Sequence, residues 1–180
     1  MKLLLDTCVL YPTVMREVLL KTAQQGLFTP LWSARILEEW ARAARKLGPT
    51  GEPQARAEIA VVRASFPKAE VPPHIGLENR LWLPDKDDIH VLAAAIGGNA
   101  DAIVTLNAGD FPRNVLKEEG LERIDPDSLL IQLFAQDGSA VSTAAEQVRA
   151  QAEAMSGTPW DMRKLLKKAR LPRLGKALAP

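Results

Sequence analysis

Leu3-Leu4-Leu5-Asp6 is the stretch that decides the fold. Three consecutive apolar residues followed by an acid predict a short strand that is buried on both faces, as strands of a parallel sheet are. An acid placed directly after such a strand lies near the edge of the core, where an unpaired charge is costly. We therefore expect Asp6 to have a partner, such as a cation.

Apolar runs and helical patterns alternate from this stretch as far as Gln136. Further strands are predicted over residues 27–32, 101–105 and 121–124, and helices over residues 13–25, 34–47, 53–66, 86–97 and 126–136. Ser33, Asp85 and Asp125 occupy the predicted N-cap positions of three of these helices. This alternation is typical of an α/β fold with a parallel sheet.

The pattern changes beyond Gly138, where no strand signal remains. Residues 140–155 are rich in alanine and predict a helix. Thr158 and Asp161 have the spacing of a capping box, which predicts Thr158 as the N-cap of a further helix. We therefore expect an α/β domain over residues 1–137 and a helical extension with a basic tail over residues 138–180.

The composition excludes several classes of protein. With 180 residues, 47% of them apolar and 25% charged, the chain can bury a core, and Trp32, Trp40 and Trp82 are predicted to belong to it. One cysteine, Cys8, excludes an internal disulfide framework and is interpreted as a small buried hydrophobe. No run approaches the ~20 apolar residues of a membrane span, so a cytoplasmic location without a membrane partner is expected.

Carboxylates collect near the places where a parallel sheet binds its ligands, outside the carboxyl ends of its strands. The candidates are Asp6, Glu38, Glu39, Asp85, Asp87, Asp88 and Asp110. Glu38 and Glu39 lie at opposite edges of an apolar helical stripe, so the spacing does not choose between them. Asp85 and Asp87 have a simpler explanation as well, because acids in a first helical turn interact favourably with the helix dipole.

Carboxylates that converge repel one another unless a divalent cation neutralises them. Ligand sets made only of oxygen favour Mg²⁺ or Mn²⁺ over zinc. Such an ion can hold a phosphodiester oxygen and activate a water molecule, so the pattern points to phosphate chemistry.

Four motifs that contain these acids occur in a fixed order along the chain. They are Leu5–Leu10, Ile36–Trp40, Asp85–Ala95 and Ile103–Pro112. Together they resemble the PIN-domain nuclease family, and the resemblance spans residues 2–125. It implies a parallel-sheet α/β/α sandwich and an endoribonuclease that hydrolyses RNA phosphodiester bonds with Mg²⁺, for which Mn²⁺ can substitute.

The resemblance also implies roles for particular residues. It assigns metal-binding and catalytic roles to Asp6, Glu39, Asp88 and Asp110. Thr105 resembles the hydroxyl that faces the first aspartate, and Asp85 is a cap or an outer helper. Asn107 stands where many members have aspartate, which raises an alternative function as a catalytically weak or inactive RNA-binding or scaffold protein. His90 is interpreted as a packed or surface histidine, with a supporting donor to the site as the alternative.

One branch of the family looks closest, the VapC-type toxins of bacterial toxin–antitoxin pairs. The resemblance lies in Tyr11-Pro12, Arg16, Trp32-Ser33 and the helical extension. It implies a cognate antitoxin as protein partner, a homodimer, and RNA, tRNA included, as substrate. Arg16 is the predicted contact to substrate phosphate, with a surface ion pair as the alternative.

The net charge of +1 conceals an asymmetry. Residues 158–180 hold seven basic side chains against Asp161, a net charge of +6, so residues 1–157 carry −5. A basic helix can attract RNA to an acidic nuclease, and its predicted substrate contacts are Lys164, Lys167 and Lys168. The alternative is a tail that docks on the acidic part of the chain or is simply solvated.

Overall fold

A parallel five-stranded sheet is the framework of the structure, a computed structural model that describes residues 1–179. Its strands are β1 (Lys2–Leu5), β2 (Thr29–Ser33), β3 (Glu70–Val71), β4 (Ala102–Val104) and β5 (Glu122–Ile124). They lie in the order β3-β2-β1-β4-β5, and every neighbouring pair is parallel. The predicted α/β fold with a parallel sheet is confirmed.

The central strand is β1, because its three leucines leave no face for water. Leu3, Leu4 and Leu5 are each 0% exposed. Leu4 pairs with Leu31 of β2 on one side and with Ile103 of β4 on the other. Each fully buried leucine stabilises the fold by about 2 kcal/mol, so this short run anchors the sheet.

Helices connect the strands and complete the chain. They are α1 (Thr7–Leu10), α2 (Thr13–Gln24), α3 (Ala34–Ala43), α4 (Gly51–Ser65), α5 (Ile75–Glu78), α6 (Ile89–Gly97), α7 (Arg113–Glu118), α8 (Pro126–Gln136), α9 (Gly138–Ser156), α10 (Met162–Lys168) and α11 (Pro172–Leu178). Single 3₁₀ turns, Ala44–Leu47 and Lys86–Asp88, follow α3 and precede α6. No helix of residues 1–179 is both long and apolar enough to cross a membrane.

Three predicted N-caps are confirmed. The Ser33 hydroxyl accepts a hydrogen bond from the Ile36 amide at the start of α3. The Asp125 carboxylate does the same for α8, and the Asp85 carboxylate caps the 3₁₀ turn before α6. Each cap satisfies an amide that the helix itself leaves without a partner.

The packing divides the chain into two compact units. The sheet unit comprises Met1–Tyr11 and Thr29–Ile124, and the helical unit comprises Pro12–Phe28 together with the chain from Asp125 onward. Within the helical unit, α2 and α8 both pack on α9, and α10 packs on α11. The helical unit therefore gathers α2 and α8 as well as the extension predicted over residues 138–180.

Two predictions about individual residues are wrong. Trp82 is 62% exposed, and its neighbour Leu83 takes the buried position in that loop. Thr158 does not cap α10, because the Asp161 carboxylate accepts the hydrogen bond from the Lys164 amide at 2.8 Å. The acid that the capping-box pattern placed inside the helix is itself the cap.

Candidate active site

The candidate acids lie where the order of the strands reverses. The chain runs outward from β1 to β2 and β3, and then returns to place β4 on the other side of β1. Parallel sheets bind ligands outside the carboxyl ends of their strands at such a point. Asp6 directly follows β1 and Thr105 directly follows β4, so both residues lie there.

Asp6 is a buried acid with two donors from the protein. It is 4% exposed. Its Oδ2 accepts a hydrogen bond of 2.7 Å from the Thr105 hydroxyl and one of 3.1 Å from the Cys8 thiol. Its amide donates to the Val104 carbonyl, which continues the pairing of β1 with β4. These contacts hold the carboxylate in one orientation and compensate its loss of water.

Cys8 has a polar role that the sequence analysis missed. Burial, followed by the charge of Asp6, raises the pKa of the Cys8 thiol to about 12. The thiol therefore stays protonated and can donate to Asp6. Its sulfur also accepts a hydrogen bond from the Leu106 amide, which fixes the loop after β4. The available signal was the spacing of two residues between Asp6 and Cys8 in a turn that follows a buried strand.

Glu39 on α3 faces α1 and α6. Its Oε2 accepts a hydrogen bond of 3.0 Å from the Thr7 hydroxyl, and its Oε1 lies 2.9 Å from His90 Nε2. Partial burial acts to raise the pKa of Glu39, but His90 and Thr7 outweigh it and bring the pKa below its usual value. His90 is therefore buried, as the interpretation of a packed histidine predicts, and it also faces Glu39, as the alternative predicts.

Glu38, the other glutamate of the pair, belongs to a surface network. Its carboxylate pairs with Arg56 of α4 at 2.9 Å and with Arg42 of α3 at 3.0 Å. Hydrogen bonds from Arg56 and Arg42 lower the pKa of Glu38 to about 2. These partners turn Glu38 away from the contacts that Glu39 makes, so the structure separates two residues that spacing alone did not.

Asp88, at the start of α6, lies near other negatively charged side chains. Burial raises the pKa of Asp88 to about 6, and repulsion from Asp6, Asp110 and Asp85 adds to the effect. Three of the predicted acids are therefore close enough to Asp88 to act on its charge. Asp85 is a cap, because its Oδ1 accepts a hydrogen bond of 2.9 Å from the Asp87 amide. It is also one of the acids whose charge acts on Asp88.

The loop after β4 carries Asp110 and Asn107. The Asp110 amide donates to the Asn107 carbonyl at 3.2 Å, and the Asn107 amide donates to the Thr105 hydroxyl at 3.0 Å. The Asn107 side chain is exposed. Asn107 thus contributes through its backbone, which orients the hydroxyl that reaches Asp6.

The predicted substrate contacts belong to the helical unit. Arg16 forms an ion pair with Glu17, whose carboxylate lies 3.4 Å from its Nε, but Arg16 is only 1% exposed and so is buried rather than on the surface. So little exposed surface also argues against a contact to substrate phosphate. Lys164, Lys167 and Lys168 are all exposed, and Lys168 Nζ lies 5.3 Å from the centre of the Trp160 ring.

Comparison with known families adds to this geometry. The family model for the PIN domain matches residues 2–109. The chain belongs to the PIN domain family. Membership places it in a superfamily of nucleases, which typically depend on divalent metals. The comparisons with curated proteins and with solved structures gave no match. The matched segment of this PIN domain contains Asp6, Glu39 and Asp88, and Asp110 comes directly after it.

The acids of this PIN domain fit a hard divalent cation by their chemistry. Asp6, Glu39, Asp88 and Asp110 offer oxygen ligands only, which suit Mg²⁺ or Mn²⁺. A cation would relieve both the burial of the Asp6 charge and the repulsion that raises the pKa of Asp88. Within residues 1–179, no three His, Cys, Asp or Glu side chains already converge as a coordination shell.

Asp88→Asn should stabilise the metal-free protein above pH ~6. The folded state holds the Asp88 proton more tightly than the unfolded chain does, so this group stabilises the fold at low pH and loses that contribution as the pH rises through its pKa. Removing the charge should raise the free energy of unfolding by about 1 kcal/mol there, after allowance for screening of a half-exposed group. Urea denaturation in EDTA across the pH range measures this.

The matched control for Asp88→Asn is Asp87→Asn, which removes an exposed neighbouring charge. The advantage of Asp88→Asn should vanish at a pH below the ordinary aspartate pKa, where both states are protonated. Identical pH profiles for the two variants would contradict the repulsion assigned to Asp88.

Proposed function

We propose that this PIN domain is a Mg²⁺-dependent endoribonuclease that hydrolyses RNA phosphodiester bonds. The proposal is carried by the placement of Asp6 directly after the central strand, at the reversal point of the sheet, where Asp6, Asp110 and Asp85 repel Asp88. The proposed metal-binding and catalytic residues are Asp6, Glu39, Asp88 and Asp110. Mn²⁺ has the same preference for oxygen ligands and should substitute for Mg²⁺.

Three of these acids are suited to this role in different ways. Bound Mg²⁺ would supply a Lewis acid for a phosphodiester oxygen and an activated water. Asp6 is oriented by hydrogen bonds from the Thr105 hydroxyl and the Cys8 thiol. Glu39 is kept ionised by His90 and the Thr7 hydroxyl. Asp88 has to release its proton before a cation binds, so the affinity for Mg²⁺ should fall as the pH drops below about 6.

Neutralising the proposed acids should abolish cleavage. We expect a fall of at least about 100-fold in the rate for each of four single variants, because each removes a charge that the site needs at the scissile phosphate. The variants are Asp6→Asn, Glu39→Gln, Asp88→Asn and Asp110→Asn. The assay is cleavage of structured RNAs, tRNA included, with Mg²⁺ or Mn²⁺ and with EDTA.

Glu38→Gln is the matched control for Glu39→Gln. It makes the same chemical change one residue away, in the surface network with Arg42 and Arg56. Its rate should stay within a few-fold of that of the unmodified protein. Equal cleavage by the unmodified protein and Asp6→Asn, or cleavage that EDTA does not affect, would rule out this mechanism.

Exposed cations on α10 support the choice of a nucleic-acid substrate. Lys164 and Lys167 project from a helix whose apolar residues Leu165 and Leu166 are buried. Lys168 is engaged with the face of Trp160, so the other two lysines are free of that contact. A row of cations of this kind binds phosphate backbones without reading their sequence.

The double variant Lys164→Gln/Lys167→Gln should weaken RNA binding and make it less sensitive to salt. Each lost phosphate contact on single-stranded RNA should reduce the slope of log affinity against log salt by about 0.7. Fluorescence anisotropy over a salt series measures this. Lys46→Gln/Lys68→Gln makes the same change of charge at exposed lysines of the sheet unit and is the control. Equal slopes for the two double variants would exclude α10 as the RNA-binding element.

The finer assignment is to the toxin of a type II toxin–antitoxin pair, with a cognate antitoxin as partner. It is supported by the resemblance in Tyr11-Pro12 and Trp32-Ser33 and by the helical extension. A homodimer is part of the same proposal.

A second candidate is a catalytically weak or inactive RNA-binding or scaffold protein. The observation in its favour is Asn107, whose exposed amide stands where many PIN domains have a carboxylate. RNA binding by the unmodified protein without any metal-dependent cleavage would favour this second candidate.

A further inference from the structure

A pocket lies beside the proposed acids, at the carboxyl ends of β2 and β3. Its volume is about 240 Å³, far more than the ~10–15 Å³ that one water molecule needs on the same measure. Its apolar walls include Val71, Pro72, Pro73 and Ala94, and the half-exposed Arg35 also lines it. All of these residues belong to the sheet unit.

Two imidazoles in the wall of this pocket each have a buried nitrogen without a hydrogen bond within the described chain. The His90 side chain is 3% exposed, and its Nδ1 makes no hydrogen bond there. Its Nε2 is the nitrogen that faces Glu39, with Oε1 at 2.9 Å. His74 Nε2 is also buried without a partner. Because buried polar atoms are normally satisfied, these nitrogens point to a polar ligand.

We propose that this pocket binds a single nucleobase of the RNA and sets the base preference of cleavage. An imidazole nitrogen donates a hydrogen bond when it carries a proton and accepts one when it does not, and the edge of a base offers both donors and acceptors as partners. The proline and aliphatic walls suit the flat apolar faces of the same group. Proteins read unstacked bases of single-stranded RNA through such a combination of packing and edge contacts. This inference rests on the proposed function.

The size and position of the pocket favour a base over other ligands. A drug-sized ligand takes about 300–1,000 Å³, so the pocket is too small for a whole nucleotide. A bare metal ion is disfavoured as the occupant, because the walls of the pocket are mostly apolar. His90 contacts Glu39 and also lines the pocket, so a nucleotide bound at Glu39 would have this opening next to it.

Gly97 controls the position of one of the two imidazoles. A Cβ atom at Gly97 would overlap the His74 ring, so only glycine lets the ring pack there. Gly97→Ala should therefore displace His74 without changing its chemistry. Since alanine favours helix more than glycine does, this variant should not unfold α6.

The experiment compares His74→Phe and Gly97→Ala with the unmodified protein. His74→Phe keeps an aromatic ring and removes both nitrogens. Cleavage is measured on single-stranded RNAs that differ only in the base next to the scissile bond, with kcat and KM determined separately. We expect one base to be preferred and both variants to lose that preference through a KM rise of about tenfold. Ile75→Ala, at an exposed neighbour outside the pocket, should keep it.

A binding measurement tests the pocket independently of catalysis. The imidazole NMR signals of His74 and His90 are followed while poly(A), poly(C), poly(G) or poly(U) is added in EDTA. Imidazole shifts that depend on the base support the pocket. If such shifts occur but the unmodified protein does not cleave RNA, only the nuclease proposal is overturned. Cleavage with an unchanged base preference in both variants and no imidazole shifts would overturn only the pocket. If the unmodified protein shows neither RNA cleavage nor imidazole shifts, both proposals are overturned.

Discussion

The buried carboxylate of Asp6 is the constraint on which the rest of the structure depends. A charge with 4% exposure at the end of the central strand has to receive hydrogen bonds from the protein. The donors are Thr105 and Cys8. Thr105 reaches Asp6 because Leu5 and Val104 pair in register, which places the residues after both strands side by side. Strand order, register and the chemistry of the site are therefore fixed together.

The acids of the site differ in how the protein treats their charge. Asp6 and Glu39 receive hydrogen bonds from neighbouring side chains, and the pKa of Glu39 lies below its usual value. Asp88 has no comparable compensation and faces the charges of other acids, which is why its pKa rises to about 6. The protein thus orients one part of the cluster and leaves repulsion in the other. Repulsion of this kind is what a bound cation relieves, so the imbalance is itself a sign of function.

The sequence predicted the features that depend on neighbours along the chain. Three leucines before an acid indicated the central strand, and Ser33 and Asp125 indicated the start of α3 and α8. Features that depend on distant partners were out of reach. Glu38 and Glu39 are distinguished by Arg56 on another helix and by His90 on a third. The two residues of β3 are too few to produce a periodic pattern.

The polar contacts of Cys8 and His90 were not favoured by the sequence, and the reason is physical. Cys8 and His90 are side chains that most often pack as ordinary core residues, so a single sequence favours that interpretation. Their roles become visible only when β1, β4 and α6 meet and bring Cys8 to Asp6 and His90 to Glu39. The capping box at Thr158 failed in a different way, because Asp161 is an equally good cap three residues later.

The most direct test of the central claim is a crystal soaked in Mn²⁺ and measured for anomalous scattering. We expect a Mn²⁺ ion bound by the carboxylates of Asp6, Asp88 and Asp110, with Glu39 in contact directly or through water. Such an ion would show that the acids around the central strand form a metal site. The absence of an ion at Asp6, with Mn²⁺ bound only at surface acids such as Glu38, would contradict it.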